Sequence, residues 1–111
     1  MPNIDTEAVE QGIADLAAIS VPDLAQSGIR DGNSLFANAQ QQLQKYSDQL
    51  ANGEIDKDQL EEDLREDLLA LANMDSLKQA GLGEVRVAAF TNGVVDILIR
   101  SAIGAATKGI I

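Results

Sequence analysis

Apolar residues recur at helical spacing along most of this chain. Val9, Ile13, Leu16 and Ala17 lie three or four apart, which predicts an amphipathic helix over residues 6–20. Asp5 or Thr6 can cap its start, and Glu7 and Glu10 sit where the helix dipole favours negative charge. Pro22 marks its end, because the residue before a proline is pushed out of the helical region. Residues 20–33, SVPDLAQSGIRDGN, mix Pro, Gly, Asp and Ser. They predict a loop with one short helical turn at 22–27, Ile29 docked inward, and the DGN turn leading to Ser34 as an N-cap.

A second helix is predicted over 34–52. Phe36, Ala39, Leu43, Tyr46 and Leu50 make one narrow stripe, and the run Gln40–Gln42 is its solvated side. A third is predicted over 57–80, with Leu60, Leu64, Leu68 and Leu71 on one face and Met74 at its edge. Leu69 and Leu77 fall off that face, so this helix is expected to touch two neighbours, or one neighbour and another chain. Gly81 is a natural residue just past its end.

The segment from 84 onward supports two structures. VRVAAFTNGVVDILIR reads as a β-hairpin over 84–100 turned at Asn92-Gly93, which would make the fold α+β. As a helix it must carry Gly93 and Gly104 inside, each about 1 kcal/mol worse than Ala. The helix is preferred, because a lone hairpin is marginal and nothing else in the chain resembles a strand. The expected fold is therefore all-α: a small bundle of three to four amphipathic helices in a single domain over 1–111. It has a helical hairpin at 34–80 and an apolar C-terminal helix.

Charge narrows the partners. The 111 residues carry 18 acids and 8 bases, a net charge of −10. Nucleic-acid binding needs Lys and Arg to displace counterions, so it is not expected. Adsorption to an anionic membrane by charge alone is not expected either. The acidity is uneven: residues 1–81 hold 16 acids against 5 bases, whereas residues 82–111 hold 2 against 3. The first residues are acidic with no apolar run, unlike a secretory signal. Asn92, Asp96, Arg100 and Lys108 interrupt the apolar C-terminal stretch, so a membrane-spanning helix is not expected. The absence of cysteine fits a reducing compartment, and a cytoplasmic location is expected.

Candidate chemistry is sparse. No histidine or cysteine is present, which removes the usual general base and the thiolate nucleophile. SDQLANGEIDKDQ, residues 47–59, has the outline of a calcium loop, but with Gly53 at its sixth position Leu50 and Gln59 stand where oxygen-rich ligands belong. A turn explains more: Asn52-Gly53 ends one helix, and Asp56 caps the next with Gln59 returning the bond. Ile55 and Leu60 can then form a hydrophobic staple. Residues 54–67 hold eight acids against Lys57 and Arg65, a solvated acidic face at net −6. Asp67 and Asp75 flank the leucine stripe and are expected to pair with Arg65, Lys78, Arg86 or Arg100. Gly81-Leu82-Gly83 follows a helix rather than a strand, and Arg86 stands in place of the third glycine, so a dinucleotide loop is not expected. No catalytic residue, cofactor or metal ligand is predicted.

What remains is binding. Apolar residues, Ile110 and Ile111 among them, surround much of the C-terminal helix, and such a helix is normally buried. Small residues Ala102, Gly104, Ala105 and Ala106 would let another helix approach closely. The expected function is a non-enzymatic interaction or assembly protein, a homo-oligomer or a subunit of a larger complex. Phe90, Val94, Ile97, Leu98 and Ile103 are the expected contact. The alternatives are a peripheral membrane-surface protein held through residues 84–111, and an acidic decoy or inhibitor of a basic partner.

Overall fold

A computed structural model describes the backbone of residues 3–110 and the side chains of residues 3–108. Met1, Pro2, the side chain of Ile110 and all of Ile111 lie outside the described residues. Among the described residues six α-helices follow one another: α1 (Thr6–Ser20), α2 (Ala25–Asn38), α3 (Gln40–Ala51), α4 (Lys57–Leu71), α5 (Asp75–Gln79) and α6 (Glu84–Ile110). A 3-10 turn at Pro22–Leu24 joins α1 to α2. The described residues contain no strand, and the fold is all-α.

Local signals set several ends as the sequence predicts. The Asp5 carboxylate accepts from the Ala8 N–H at 3.1 Å and caps α1. Asp56 accepts from the Gln59 N–H at 2.7 Å and caps α4. Gln59 does not return the bond; its amide donates to Asp63 instead. Gly53 and Gly81 take φ of 74° and 92°, a region closed to most side chains, and terminate α3 and α5.

The helix expected over 34–52 is two helices that meet at Ala39. This residue is buried, and its N–H is shared between the Leu35 and Phe36 carbonyls. The helix expected over 57–80 is also two. Ala72 is extended, at φ −64° and ψ 129°, and the chain restarts at Asp75. That break brings Met74 and Leu77 into the core, at 2% and 0% exposure. A continuous helix would have left Leu77 off the Leu60/Leu64/Leu68 face.

The larger correction is α2. The stretch expected as a loop is helical from Ala25, so Ser34 lies on an exposed face mid-helix rather than at a cap. Two glycines lower local helix propensity by about 1 kcal/mol each. Packing explains their presence. A Cβ at Gly28 would lie 2.9 Å from Val21 and 3.3 Å from both Ala17 and Phe90. One at Gly32 would lie 2.5 Å from Ile13 Cγ2. These two positions, one turn apart, form a notch into which α1 sinks. Asp31, beside the notch and 4% exposed, reaches across to α5. Its carboxylate accepts from the Ser76 and Leu77 N–H groups at 3.1 and 2.8 Å. The residue that reads as a turn former in sequence is a distant cap for another helix.

The hairpin alternative for 84–100 gives way to helix α6, which touches all five other helices. Phe90, Val94, Leu98 and Ala102 form a row four residues apart, each 0% exposed. Burying a side chain the size of Val, Leu or Phe contributes roughly 1.5–3 kcal/mol. The Ser47 hydroxyl on α3 donates to the Ala102 carbonyl at 2.9 Å, which satisfies a buried polar group. Asn92-Gly93, the apparent hairpin turn, lies mid-helix, where a Cβ on Gly93 would meet Leu16 Cδ2 at 2.7 Å.

Glycines with and without neighbours predict opposite effects of one methyl group. Gly32→Ala gains helix propensity but drives against a γ-methyl of fully buried Ile13, and overpacking of this kind costs about 1–3 kcal/mol. Gly104→Ala meets no atom within 4 Å and keeps the full gain of about 1 kcal/mol. Urea unfolding should show Gly32→Ala less stable than the parent and Gly104→Ala more stable.

Candidate functional site: the α1–α6 seam

Helices α1 and α6 run antiparallel. The contact positions fix their relative height: Ser20 lies by Arg86, Leu16 by Gly93, and Gly12 by Ile97. Val9, Ile13 and Ala17 turn α1 into the core, which leaves its flank beside α6 partly open. Ala8, Gly12, Leu16 and Ile19 follow that flank, and Val85, Ala89, Gly93 and Ile97 face it from α6. The result is a seam of small and apolar residues along one side of the bundle.

One end of the seam is apolar and prominent. Ile19 is 80% exposed and Val85 84% exposed. Between the helices at that end, Arg86 donates to both Asp23 carboxylate oxygens, at 2.8 and 3.4 Å, and to the Ser20 carbonyl at 3.3 Å. The Arg86 hydrogen bond holds the Asp23 carboxyl below its ordinary range. The clamp fastens the 3-10 turn to the start of α6 without covering either apolar side chain.

The other end is a groove of about 390 Å³. Ala8, Val9, Gly12, Ile97, Gly104 and Ala105 line it, with Asp5, Arg100 and Lys108 among its charged residues. The Ser101 hydroxyl is buried there without a hydrogen-bond partner. Arg100 Nε donates to the Asp96 carbonyl at 3.3 Å. Among the described residues the ion pairs are Arg86–Asp23 and Arg65–Asp96, so Arg100 and Lys108 are not neutralised by a neighbour. The Arg65–Asp96 pair, at 2.6 Å, joins α4 to α6 from the far side. Both its partners are more than a third exposed, and a pair of that kind contributes about 0–1 kcal/mol.

The five residues expected at a contact divide. Phe90, Val94 and Leu98 are fully buried within this chain, and Ile103 is partly buried against the same core. Ile97 is partly exposed and lies on the seam. Sequence reasoning missed Ile19 and Val85 as contact residues; Gly104, one of the small residues expected to admit another helix, lines the groove. Ile19 and Val85 do carry a signal: each is a large apolar residue off its helix's buried row.

The remaining candidates have ordinary partners. Asp67 accepts from the Tyr46 hydroxyl at 2.8 Å, and Asp75 from the Asn73 amide at 3.1 Å, so neither forms the expected ion pair with Arg or Lys. In the 47–59 turn, the Asn52 amide donates to Glu54, and Asp56 is taken up by its cap. Among the described residues no group of three or more Asp or Glu is placed to hold a metal ion. Over Glu84–Lys108, α6 is long and apolar enough to cross a membrane by length and composition.

The acidic side of α4 acts on Tyr46. Burial raises its pKa to about 12, with further contributions from the Asp67 hydrogen bond and the charges of Asp67, Asp63 and Glu66. The neutral phenol is the form the fold favours. Its contribution to stability is therefore complete below the ordinary value of 10.0 and is lost as pH rises to about 12. Tyr46 is the sole tyrosine and there is no tryptophan, so phenolate absorbance reports it alone. The folded chain should titrate near 12 and the urea-unfolded chain about two units lower, near the ordinary tyrosine value. Comparison with known protein families, curated proteins and solved structures finds no match for this chain.

Proposed function

We propose that this chain is a non-enzymatic helical interaction protein, working as a homo-oligomer or as a subunit of a larger complex, with the α1–α6 seam as its contact. The observation that carries the reading is the exposure of Ile19 and Val85 beside a helix whose other large apolar side chains are mostly consumed by the core. Scattered apolar residues on a surface are ordinary, but a continuous apolar strip marks a contact. Here two prominent side chains continue into a strip of small residues and then a groove. Small residues allow a partner helix to approach closely, and the charges at the groove end can set its register.

The membrane-surface reading has one observation in its favour, the apolar length of α6. Against it, the row Phe90, Val94, Leu98 and Ala102 is already occupied by other helices, so α6 would have to leave the bundle to reach lipid. A protein contact uses the seam as it stands.

Site-specific photo-crosslinking in the producing cells tests the reading. A photoreactive residue at Ala89, exposed on the seam, should give covalent protein adducts. The same residue at Glu62, exposed on the acidic side, should give few. Replacing Ile19 and Val85 together with Ser should reduce the Ala89 adducts at least tenfold while circular dichroism stays unchanged. Adducts from Glu62 alone, or from neither position, would contradict the assignment.

A further inference from the structure

We infer that the occupant of the seam is a second copy of this chain, docked about a two-fold axis that runs along the seam. The inference rests on the interaction reading and names its partner. Such an axis places α1 of each chain against α6 of the other at matched height. The contact is self-complementary, as a two-fold interface requires.

Matched height is what makes the surfaces fit. Ile19 lies three residues along α1 from Leu16, which faces Gly93, so its level on α6 is that of Ala89, one turn from Val85. The axis therefore lays Ile19 of one protomer over Ala89 and Val85 of its partner, twice, and covers the most exposed apolar side chains together. At the other end, Asp5 on α1 falls level with the interval from Arg100 to Lys108 on α6. Each α1 thus offers a carboxylate to the two cations of the opposite α6.

The competing two-fold runs across the seam. Set at the middle of the seam, it reverses the heights and lays Ile19 opposite the Asp5–Ala8 end of α1, which strands the apolar end against a charged one. Elsewhere the surface opposes self-association: residues 54–67 carry net −6, and two such faces repel. From Val85 to Lys108 the α6 side of the seam runs about 35 Å, and the α1 side about 22 Å over Thr6–Ser20. At about 10 Å width for each helix this gives about 570 Å² per protomer, near the lower end of the roughly 600–1,000 Å² per partner that standard interfaces bury.

Light scattering after gel filtration should give twice the 11.8 kDa chain mass. Gly104→Gln should return the monomer. Its side chain enters open space in the groove and favours the helix, so this variant should stay folded, with the circular dichroism spectrum of the parent. The chain has no cysteine, which permits a clean test of the axis. Ile19→Cys chains mixed with Ala89→Cys chains should form an interchain disulfide. Ile19→Cys mixed with Ala8→Cys, the pair that the crosswise axis would bring together, should not.

A monomeric parent, a dimeric Gly104→Gln variant, or linkage of 19 to 8 in place of 19 to 89 would each overturn the proposal. A monomeric parent that still forms adducts from position 89 with a different protein removes the second copy and leaves the interaction reading standing. A monomer with no adduct removes both.

Discussion

The approach of α1 to two glycines of α2 is the constraint from which the rest of this fold follows. Ile13 occupies the space a side chain at residue 32 would fill, and Val21 and Ala17 crowd residue 28 in the same way. Interiors pack at crystal-like density, so a single methyl group in that notch must displace something. The third glycine contact, Gly93 against Leu16, is more forgiving. Leu16 meets it with the end of a flexible, half-buried side chain. The position of α1 is thus set firmly by α2 and more loosely by α6. The flank of α1 left over from this packing is what becomes the seam.

The same placement of α2 fixes the far end of the bundle. With Gly32 against Ile13, the neighbouring Asp31 is carried to the start of α5 and accepts two backbone N–H groups. A five-residue helix is too short to persist alone, because helix nucleation is unfavourable and tertiary contacts must supply the stability. Asp31 and the buried Leu77 supply them here. This docking closes the connection between α4 and α6 and holds Met74 in the core. One notch therefore organises contacts at residues 45 positions apart in sequence.

What the sequence discloses depends on whether the information is local. The starts of α1 and α4 are written in caps, Asp5 and Asp56, whose bonds span three residues. The buried rows of α3, α4 and α6 are legible as periodicity. The breaks at Ala39 and Ala72 are not, since the apolar pattern continues through both and the turning is decided by where Met74 and Leu77 are needed. Helix α2 is the instructive case. Gly28, Asp31, Gly32 and Asn33 lower its local propensity, and two of them do so in the service of packing and one of capping another helix. The seam was hidden for a related reason. Ile19 and Val85 stand off the buried rows of their helices, but their meaning emerges once α1 and α6 are seen side by side. Of the residues the apolar helix suggested for a contact, Ile97 lies on this surface, while Phe90, Val94 and Leu98 face the core.

The central claim, that α2 is a packed helix through its glycines, is tested most directly by native-state hydrogen exchange of the amides of residues 28–33. Packing against α1 predicts that these amides exchange only with global unfolding, at the same free energy as those of Val94 and Leu98. Exchange at loop-like rates, with little protection while the centre of α6 stays closed, would contradict the notch and the placement of the seam that depends on it.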